Sequence, residues 1–528
     1  MSGRRSYRSS LAYGGLSFLS TAGLGVFTSI AVARTYGIDV IGLYALVLAP
    51  TGAMWFLSTM REQAGLVREL ANLEFRAPRV TGLFAAVLAF STGLTILVGT
   101  VTMTIVYFVY RGPIGQPELF MPALVSMIGY VTIQNVGWNY DMLFSAFRAG
   151  RQLFAVRLSS NVAYLVMAVG LGLAWQSVWS LVIATLASNA FALVHRIEKS
   201  RQFMRYSVSL GVLRDGFRTL PSMVLFGVKL APGAVADGVA NEAGTWLLGG
   251  MGSVQAVGAY NRAWTLGSRF RDVNYRITEV LFPTLVARRA SGDQRGMDRA
   301  MVDSLRYQTA AMLLVAAVGG GAAHGVMGLF GTGFDQGANA LALILLVPAI
   351  VGVVSILGTA LVAADRPWIT SVIAIIRMVV TLVLMVGFTY WFSLTGTASA
   401  LVIGYAGSAT FYFVVTRRHM GMPIWSLWTP RQIAGQVLAY AGGFLVSRLV
   451  DDATPGPGGL LLALTAGGAA YVLLILAVGG ISPRDRRRIR EARTKLAARR
   501  ERRSAASSAV AERAGGEQVV VVPERRGS

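Results

Sequence analysis

The stretch Gly37-Ile-Asp-Val-Ile-Gly42-Leu-Tyr44 joins two apolar segments near the start of the chain. A related stretch, Gly252-Ser-Val-Gln-Ala-Val-Gly258-Ala-Tyr260, joins two apolar segments near its middle, and Leu66-Val67 and Leu285-Val286 repeat at a similar offset. The offset is about 216–219 residues, which corresponds to six apolar segments. Because six is even, both copies run in the same direction. The repeat therefore predicts two parallel six-helix halves around an axis along the membrane normal.

Apolar segments of membrane-spanning length, about 20 residues, recur along the whole chain. Hydrophobic residues make up 54% of the sequence and charged residues only 14%, whereas soluble domains are about 25% charged. This composition excludes a soluble enzyme and a disordered protein. We predict an all-α polytopic membrane protein of about 14 transmembrane helices, with two six-helix bundles and two C-terminal helices. The segments are 10–33, 37–60, 80–110, 118–147, 153–174, 177–195, 222–250, 262–286, 307–330, 339–363, 367–389, 392–416, 432–450 and 458–480.

The basic residues of the connecting loops indicate the orientation. With the N-terminus in the cytoplasm, the inside loops hold 25 Arg and Lys residues without the C-terminal tail, and the outside loops hold three. The positive-inside rule expects this asymmetry. We therefore expect a multi-pass protein of the cytoplasmic membrane with both termini inside.

The same segments predict five regions. Residues 1–200 form an N-terminal six-helix bundle, and 201–221 a cytoplasmic linker. Residues 222–416 form the second bundle, and 432–480 hold the two additional helices. The tail, 481–528, carries an excess of basic residues and is predicted to be largely disordered beyond a basic helix at the anionic membrane surface.

Ionisable side chains inside a membrane are costly and mark functional sites by default. The eighth span has five of them on one helical face, and the seventh carries polar groups at i+4 spacing. A charged stripe on two successive helices predicts a water-filled, substrate-binding cavity in the second half. Arg271 lies off this stripe, so we expect it to matter less. The stripe residues are Arg262, Arg269, Asp272, Arg276 and Glu279 on span eight and Lys229, Asp237 and Asn241 on span seven.

Polar residues of the first half are fewer. Small hydroxyl residues in membrane helices usually pack rather than bind, so we select larger or more polar side chains that share a helix face or end a span. The first-half candidates for the cavity are Tyr13, Arg34, Arg61, Gln134 and Asp141.

Motifs for catalysis or metal binding are missing from the sequence. Cysteine is absent and only three histidines occur, and there is no phosphate-binding loop or HExxH motif. We predict no catalytic residues, no metal and no cofactor, and we leave open whether H⁺ or Na⁺ acts as a coupling ion. The basic charge lies in membrane loops and the tail, which does not indicate nucleic-acid binding.

The hairpin stretches resemble those of the oligosaccharide flippases of the MOP superfamily, the Wzx-like polysaccharide-transporter branch related to the MATE exporters. The resemblance is carried by Ala31-Val-Ala-Arg34-Thr-Tyr-Gly37 with Gly42-Leu-Tyr44, by Ala256-Val-Gly258-Ala-Tyr260-Asn-Arg262-Ala263, and by Phe282-Pro283-Thr-Leu285. Asp237 also falls where that family often has an acidic residue. The resemblance implies that the chain moves a polyprenyl-pyrophosphate-linked oligosaccharide to the outer leaflet by alternating access. It implies membrane lipids as neighbours, with a polysaccharide polymerase and glycosyltransferases as further candidate partners.

Two other functions stay open. A cation-coupled multidrug exporter of the MATE type would need an apolar pocket with acidic residues, and the basic residues of span eight argue against it. A lipid II flippase would use a similar basic cavity, because arginine clamps a pyrophosphate whatever sugar follows it.

The topology can be tested by single-cysteine labelling, since the natural chain has no cysteine. We expect both termini and the 196–221 loop to react only with reagents that reach the cytoplasm, because these segments carry the basic excess. The 287–306 loop is the most informative control. Labelling of that loop from outside would contradict the fourteen-span arrangement.

Overall fold

The computed structural model describes residues 7–70, 73–206, 209–228, 231–364, 366–421 and 429–478, with side chains from residue 23 onward apart from a few positions in the later helices. Within these ranges every regular element is helical and no β-strand occurs, which confirms the all-α prediction. The six-residue N-terminal start and the tail predicted at 481–528 lie outside the described residues.

The first half contains nine helical elements before the connection to the second half. Two of them are short turns in the span Pro117–Ala146: a 3₁₀ turn at its start, Pro117–Leu119, and a π-helical turn in its middle, Tyr130–Gln134. The α-helices are α1 (Tyr7–Leu57), α2 (Glu62–Leu70), α3 (Pro78–Arg111), α4 (Phe120–Gly129), α5 (Asn135–Ala146), α6 (Gly150–Ala174) and α7 (Val178–Ser200).

The second half begins after a connecting helix, α8 (Leu210–Val228). A 3₁₀ turn at Phe334–Gly337 precedes the tenth apolar segment. The α-helices are α9 (Ala231–Met251), α10 (Val254–Ala290), α11 (Gln294–Gly321), α12 (Ala323–Gly328), α13 (Ala338–Ile344), α14 (Val347–Ala363), α15 (Pro367–Met420), α16 (Pro430–Ala453) and α17 (Pro457–Ala477).

Two long helices each contain one residue at which the chain turns. Gly37 in α1 has φ 74° and ψ 172°, a conformation that glycine adopts without a Cβ clash. Ser393 in α15 has φ 49° and ψ −128°, and the hydroxyls of Thr389 and Thr397 lie 2.8 Å apart across that turn. Both helices are therefore helical hairpins. We call the end of the bundle at Gly37 the Gly37 end and the opposite end the Arg61 end.

The hairpin of α1 packs against the hairpin of α9 and α10 with a 216-residue symmetry. A Cβ on Gly42 would collide with the carbonyl oxygen of Val254, and a Cβ on Gly258 would collide with that of Ile38. Adding 216 to one contact gives the other with its partners exchanged. Asp39 and Gln255, also 216 apart, are joined by a hydrogen bond of 2.5 Å. The repeated glycines of the sequence thus meet each other across a local two-fold axis.

Contacts between the halves continue from the Gly37 end toward the Arg61 end. The second helix of the α1 hairpin lies along α9, where Gly52 faces Glu242 and Phe56 fills the space beside Gly238. The first helix lies along α10 and brings Ser29 to Arg262. The seventh and eighth spans are thereby placed at the interface between the halves.

The connection between the halves is a helix at the Arg61 end. Helix α8 crosses the start of α3, where Gly216 contacts Gly82, and then α2, where Met223 contacts Gly65. It reaches Val228, so residues 222–228 of the predicted seventh span belong to this connecting helix. A bend of 59° separates α8 from α9.

The last two helices pack on the second half through α11. The hydroxyl of Ser447 donates to the carbonyl of Val318 at 2.9 Å, and that of Tyr471 donates to the carbonyl of Ala310 at 2.7 Å. Both bonds satisfy a hydroxyl that would otherwise be costly in an apolar environment.

Nine helical segments of the described chain are long and apolar enough to cross a membrane, or ten if the bent pair α8 and α9 counts as one. Two of the nine, Gly23–Leu57 and Trp368–His419, contain the turns at Gly37 and Ser393. Helices α10 and α11 carry several charges and are not among the nine. The chain is a multi-pass membrane protein, and the count of fourteen and the domain boundaries stay predictions.

The glycine contact predicts a sharp difference between two Gly→Ala substitutions. Gly42→Ala should lower the melting temperature in detergent, because the new methyl group meets the Val254 carbonyl and overpacking costs about 1–3 kcal/mol. Gly93→Ala is the matched control in helix α3, since a Cβ at Gly93 meets nothing within 4 Å. Equal melting temperatures for the two variants would contradict the close packing of the hairpins.

Candidate functional site

Arg262 is the first basic residue of α10 to reach the interface between the halves. Its side chain is buried, and it donates a hydrogen bond of 2.8 Å to the hydroxyl of Ser29 on α1. The hydroxyls of Tyr44 and Tyr164 lie close enough for electrostatic interaction, and Tyr44 bonds Thr185 at 2.5 Å. Arg262 is therefore surrounded by hydroxyl groups.

Arg269 lies two turns further along α10 and faces the same helix. A Cβ built on Gly25 would stand 3.4 Å from its guanidinium, so the glycine leaves room for this side chain. Arg269 forms no hydrogen bond or ion pair with any residue that the structure describes. Its positive charge is not compensated by a described contact.

Arg271 occupies the opposite face of α10 and contacts α9. It donates to the amide oxygen of Asn241 at 3.0 Å and lies over the ring of Trp264 at 4.8 Å. We expected Arg271 to lie away from the site. It contacts a predicted site residue because α10 is packed between α1 and α9, so that two of its faces point to polar neighbours.

Glu242 of α9 brings a carboxyl group to this region. It packs against Gly52 of α1 and interacts electrostatically with Arg271. No described residue donates a hydrogen bond to its carboxylate or forms an ion pair with it. Glu242 is thus a partly buried carboxylate at the interface, with Arg271 near it.

Asp237 is engaged by a partner on α15. Arg377 forms an ion pair with it, lies over the ring of Tyr405 at 4.3 Å, and is 3% exposed in its side chain. The hydroxyl of Tyr405 in turn donates to the amide oxygen of Asn241 at 3.1 Å. The predicted residues Asp237 and Asn241 thus belong to one polar chain that ends at Arg271.

Asp141 is held by an ion pair inside the first half. Arg196 of α7 donates to both carboxylate oxygens, at 2.8 and 3.1 Å, and the Asp141 side chain is 6% exposed. This bidentate geometry joins α5 to α7. The carboxylate is used for packing within the bundle rather than left open toward a cavity.

Arg61 lines a cavity of about 130 Å³ at the Arg61 end. Trp55 and Trp138 line it with ring centroids 4.3 Å apart, and the rest of the lining combines polar groups with Phe56, Ala64 and Met142. Arg61 itself has φ 55°, a strained value for a residue with a Cβ. The polar and aromatic groups around the cavity are Ser58, Thr59, Gln63, Tyr130 and Asn135.

Glu62 begins α2 next to this cavity and is completely buried. Its carboxylate accepts from the backbone N–H of Met60 and from the amide of Gln63, both at 2.9 Å. Burial raises the pKa of Glu62, and hydrogen bonds from the backbone N–H groups of Glu62 and Met60 and from Thr59, together with the charge of Arg61, oppose the rise. The sequence signal for this residue is a carboxylate directly after Arg61, which was not among the predicted site residues.

Two other predicted residues, Gln134 and Arg34, are not at this interface. Gln134 ends the π-helical turn and is not part of the cavity wall at Arg61. Arg34 is exposed at the Gly37 end, where it donates to the carbonyl of Leu329 at 2.8 Å. The side chains of Tyr13, Lys229, Asp272, Arg276 and Glu279 lie outside the described residues.

One cluster with metal-ligand chemistry occurs away from the interface. Ligand atoms of His324, Asp451 and Asp452 lie within 4.8 Å of one another. Arg448 contacts both His324, at 2.5 Å, and Asp452, at 2.9 Å, and the N–H of Gly325 donates to Asp451. The guanidinium of Arg448 therefore supplies, within this cluster, the positive charge that a metal ion would bring.

The chain is similar in sequence to one protein family and in fold to solved membrane transporters. The profile of a family described as polysaccharide biosynthesis protein matches residues 31–318, from α1 to α11. A lipid II flippase, MurJ, in an inward closed conformation is similar at a TM-score of 0.64, with 12% identity over 88% of this chain and 98% of that chain. The eukaryotic MATE transporter AtDTX14 is similar at 0.52, with 14% identity over 78% and 95%. No curated protein matches the sequence. At such identities the structures establish a shared MATE- and MurJ-like fold.

The role of Asp141 can be separated from transport by a stability measurement. Asp141→Asn should destabilise the protein by about 3–5 kcal/mol, because it leaves the Arg196 guanidinium buried without its counter-charge. The double variant Asp141→Asn with Arg196→Gln should recover part of that loss. Glu69→Gln, which removes an exposed pair with Arg68, is the control and should change stability by about 0–1 kcal/mol. A stable Asp141→Asn variant without transport would instead support the cavity role.

Proposed function

Because the chain belongs to the polysaccharide biosynthesis protein family, a family of membrane flippases, we propose that it moves a polyprenyl-pyrophosphate-linked oligosaccharide across the cytoplasmic membrane. The proposed movement is from the inner to the outer leaflet by alternating access of the two halves. The oligosaccharide is too polar to cross the hydrocarbon unaided. A protein interior that shields the head group, while the polyprenyl tail stays in lipid, removes that barrier.

The observation that carries the proposal is the difference between two kinds of buried arginine. Arg196 and Arg377 each form an ion pair with an aspartate. By contrast, Arg262 of α10 bonds a hydroxyl, and Arg269 has no partner among the described residues. Arg271 bonds an amide and has the Glu242 carboxylate near it without forming an ion pair. Uncompensated charge in a membrane protein is expensive unless a ligand uses it. A pyrophosphate supplies the complementary negative charge, and planar guanidinium groups bind phosphates well.

The cavity at Arg61 supports a sugar-bearing substrate. Aromatic rings such as Trp55 and Trp138 offer apolar faces to the C–H groups of a sugar ring, while Asn135, Gln63 and Thr59 offer hydrogen-bonding groups for its hydroxyls. Pockets with aromatic walls and a few convergent polar groups are typical ligand sites. The combination suits a substrate with both an anionic and a carbohydrate part.

Alternating access requires the α1 hairpin and the α9–α10 hairpin to separate at the Gly37 end. At the Gly37 end the halves are in backbone contact through Gly42 and Val254 and through Gly258 and Ile38. In the proposed cycle these contacts separate when the head group leaves toward that end. The orientation predicted from the loops places this end outside the cell.

Glu242 favours one alternative, a cation-coupled multidrug exporter. An interface carboxylate without a described ionic partner is the group that such an exporter uses to bind a cationic drug. Within the flippase proposal the same group is a candidate for coupling to H⁺ or Na⁺. A lipid II flippase is the second alternative, since the arginines of α10 suit any lipid-linked pyrophosphate.

Reconstituted protein can distinguish these functions. We expect proteoliposomes to make a fluorescent polyprenyl-pyrophosphate oligosaccharide accessible to an external quencher. Arg271→Gln and Arg269→Gln should each slow this by about tenfold or more, the loss of one charge-assisted contact. Arg111→Gln is the control, because Arg111 is exposed and away from the interface. Its guanidinium carbon lies 4.1 Å from the ring centroid of Tyr107. Normal flipping by both α10 variants would contradict the proposal, and transport of cationic drugs without lipid flipping would establish the exporter.

A further inference from the structure

A second basic site lies away from the interface between the halves, in a groove between α6 and α7 at the Arg61 end. The groove has a volume of about 430 Å³, and no carboxylate is among the described residues that line it. Two cationic side chains, an imidazole and two amides point into it. The lining residues are Arg151, Gln152, Ala155, His195, Lys199 and Gln202.

The groove continues into the lipid-facing surface of the same two helices. Val162 and Val166 on α6 are 44% and 64% exposed, and Phe191 and Val194 on α7 are 48% and 66% exposed. Large apolar side chains exposed on a membrane protein face the hydrocarbon. Ala155 precedes Val162 by two helical turns and lies on the same face of α6. The basic groove is therefore at the membrane-interface end of an apolar strip that faces lipid.

Hydrogen bonds fix the base of the groove. Gln152 is buried and donates to Gln202 at 3.2 Å, which ties the start of α6 to the end of α7. The hydroxyl of Ser159 donates to the carbonyl of Val156 at 3.0 Å and lies 2.9 Å from Nδ1 of His195. Because that hydroxyl has one hydrogen, Nδ1–H is the donor to Ser159. The other ring nitrogen, Nε2, is then a hydrogen-bond acceptor.

Lys199 keeps donors for a ligand. Its ammonium group bonds Glu198 at 3.0 Å, and the Glu198 side chain is 62% exposed. An ammonium has three N–H donors, so one bond to an exposed carboxylate leaves two. Arg151 contributes a guanidinium at the opposite wall of the groove.

We propose that this groove binds the phosphate of an anionic phospholipid of the surrounding bilayer. The phosphate is held by Arg151 and Lys199, and the acyl chains lie along the exposed valines of α6 and Phe191 of α7. Basic pockets between transmembrane helices near a membrane surface are known to suit such head groups. The adjoining lipid-facing strip selects a bilayer lipid over a free phosphate ion.

The bound lipid has a mechanical role in the fold. Helix α6 packs against the first helix of the α1 hairpin, where Tyr36 donates to the carbonyl of Ala168 at 2.8 Å. A lipid held by α6 and α7 therefore anchors the first half to one leaflet next to the helix that contacts α10. This role is independent of which head group passes between the halves.

Lipid retention measured by native mass spectrometry tests the site on the full-length protein. From vesicles of phosphatidylcholine with phosphatidylglycerol, we expect one phosphatidylglycerol to stay bound in preference to phosphatidylcholine. Arg151→Gln and Lys199→Gln should each weaken its retention by about fivefold, the effect of one basic residue near an anionic surface. Arg218→Gln removes an exposed charge at the same end of the bundle, on α8, and should retain the lipid like the natural protein.

Three results would overturn the proposal. They are equal retention of the two lipids by the natural protein, equal losses in all three variants, and displacement of the lipid by millimolar inorganic phosphate. A second measurement needs no variant. The melting temperature of the natural protein should rise and saturate with the fraction of phosphatidylglycerol, and a linear, unsaturated response would indicate only general surface electrostatics and also overturn it.

Discussion

The close backbone contact between the α1 hairpin and the α9–α10 hairpin is the constraint on which the rest of the structure depends. Each hairpin presents a glycine to a carbonyl of the other, Gly42 to Val254 and Gly258 to Ile38. In lipid there is little hydrophobic force between helices, so close approach of small residues supplies the packing energy. This contact fixes how far apart the remaining lengths of α1, α9 and α10 can be. It therefore also sets the space into which the arginines of α10 extend.

Charge within the membrane is divided between two uses. Ion pairs such as Asp141 with Arg196 join neighbouring helices within one half, and each charge offsets part of the desolvation cost of the other. Arg262 and Arg271 lie between the halves and are held by hydroxyl, amide or aromatic groups, and Arg269 has no described polar partner. Neutral partners orient a guanidinium without cancelling its charge. A surface of this kind can attract an anion and release it again when the halves move.

Much of the fold could be predicted from the sequence because its signals are local. The glycine repeat and the apolar segments are patterns that packing and lipid both require. The site was less predictable, since it depends on which helices become neighbours. Arg271 was placed outside the site because one functional face was assumed for α10. Arg377 was overlooked as a single charge in an apolar segment, although such a residue is itself a signal. Its partner Asp237 is 140 positions away, and no spacing rule connects them.

The hydrogen bond between Asp39 and Gln255 has a consequence for the way the two halves are joined. These residues stand at equivalent positions on the local two-fold axis. In a dimer of two identical chains, a residue on such an axis meets its own copy. Two aspartates would then repel each other. A single chain that contains both halves can place a donor opposite an acceptor, so this bond is available only because the halves are covalently fused and unequal. The two halves therefore differ chemically at their contact: the first presents an acceptor and the second a donor.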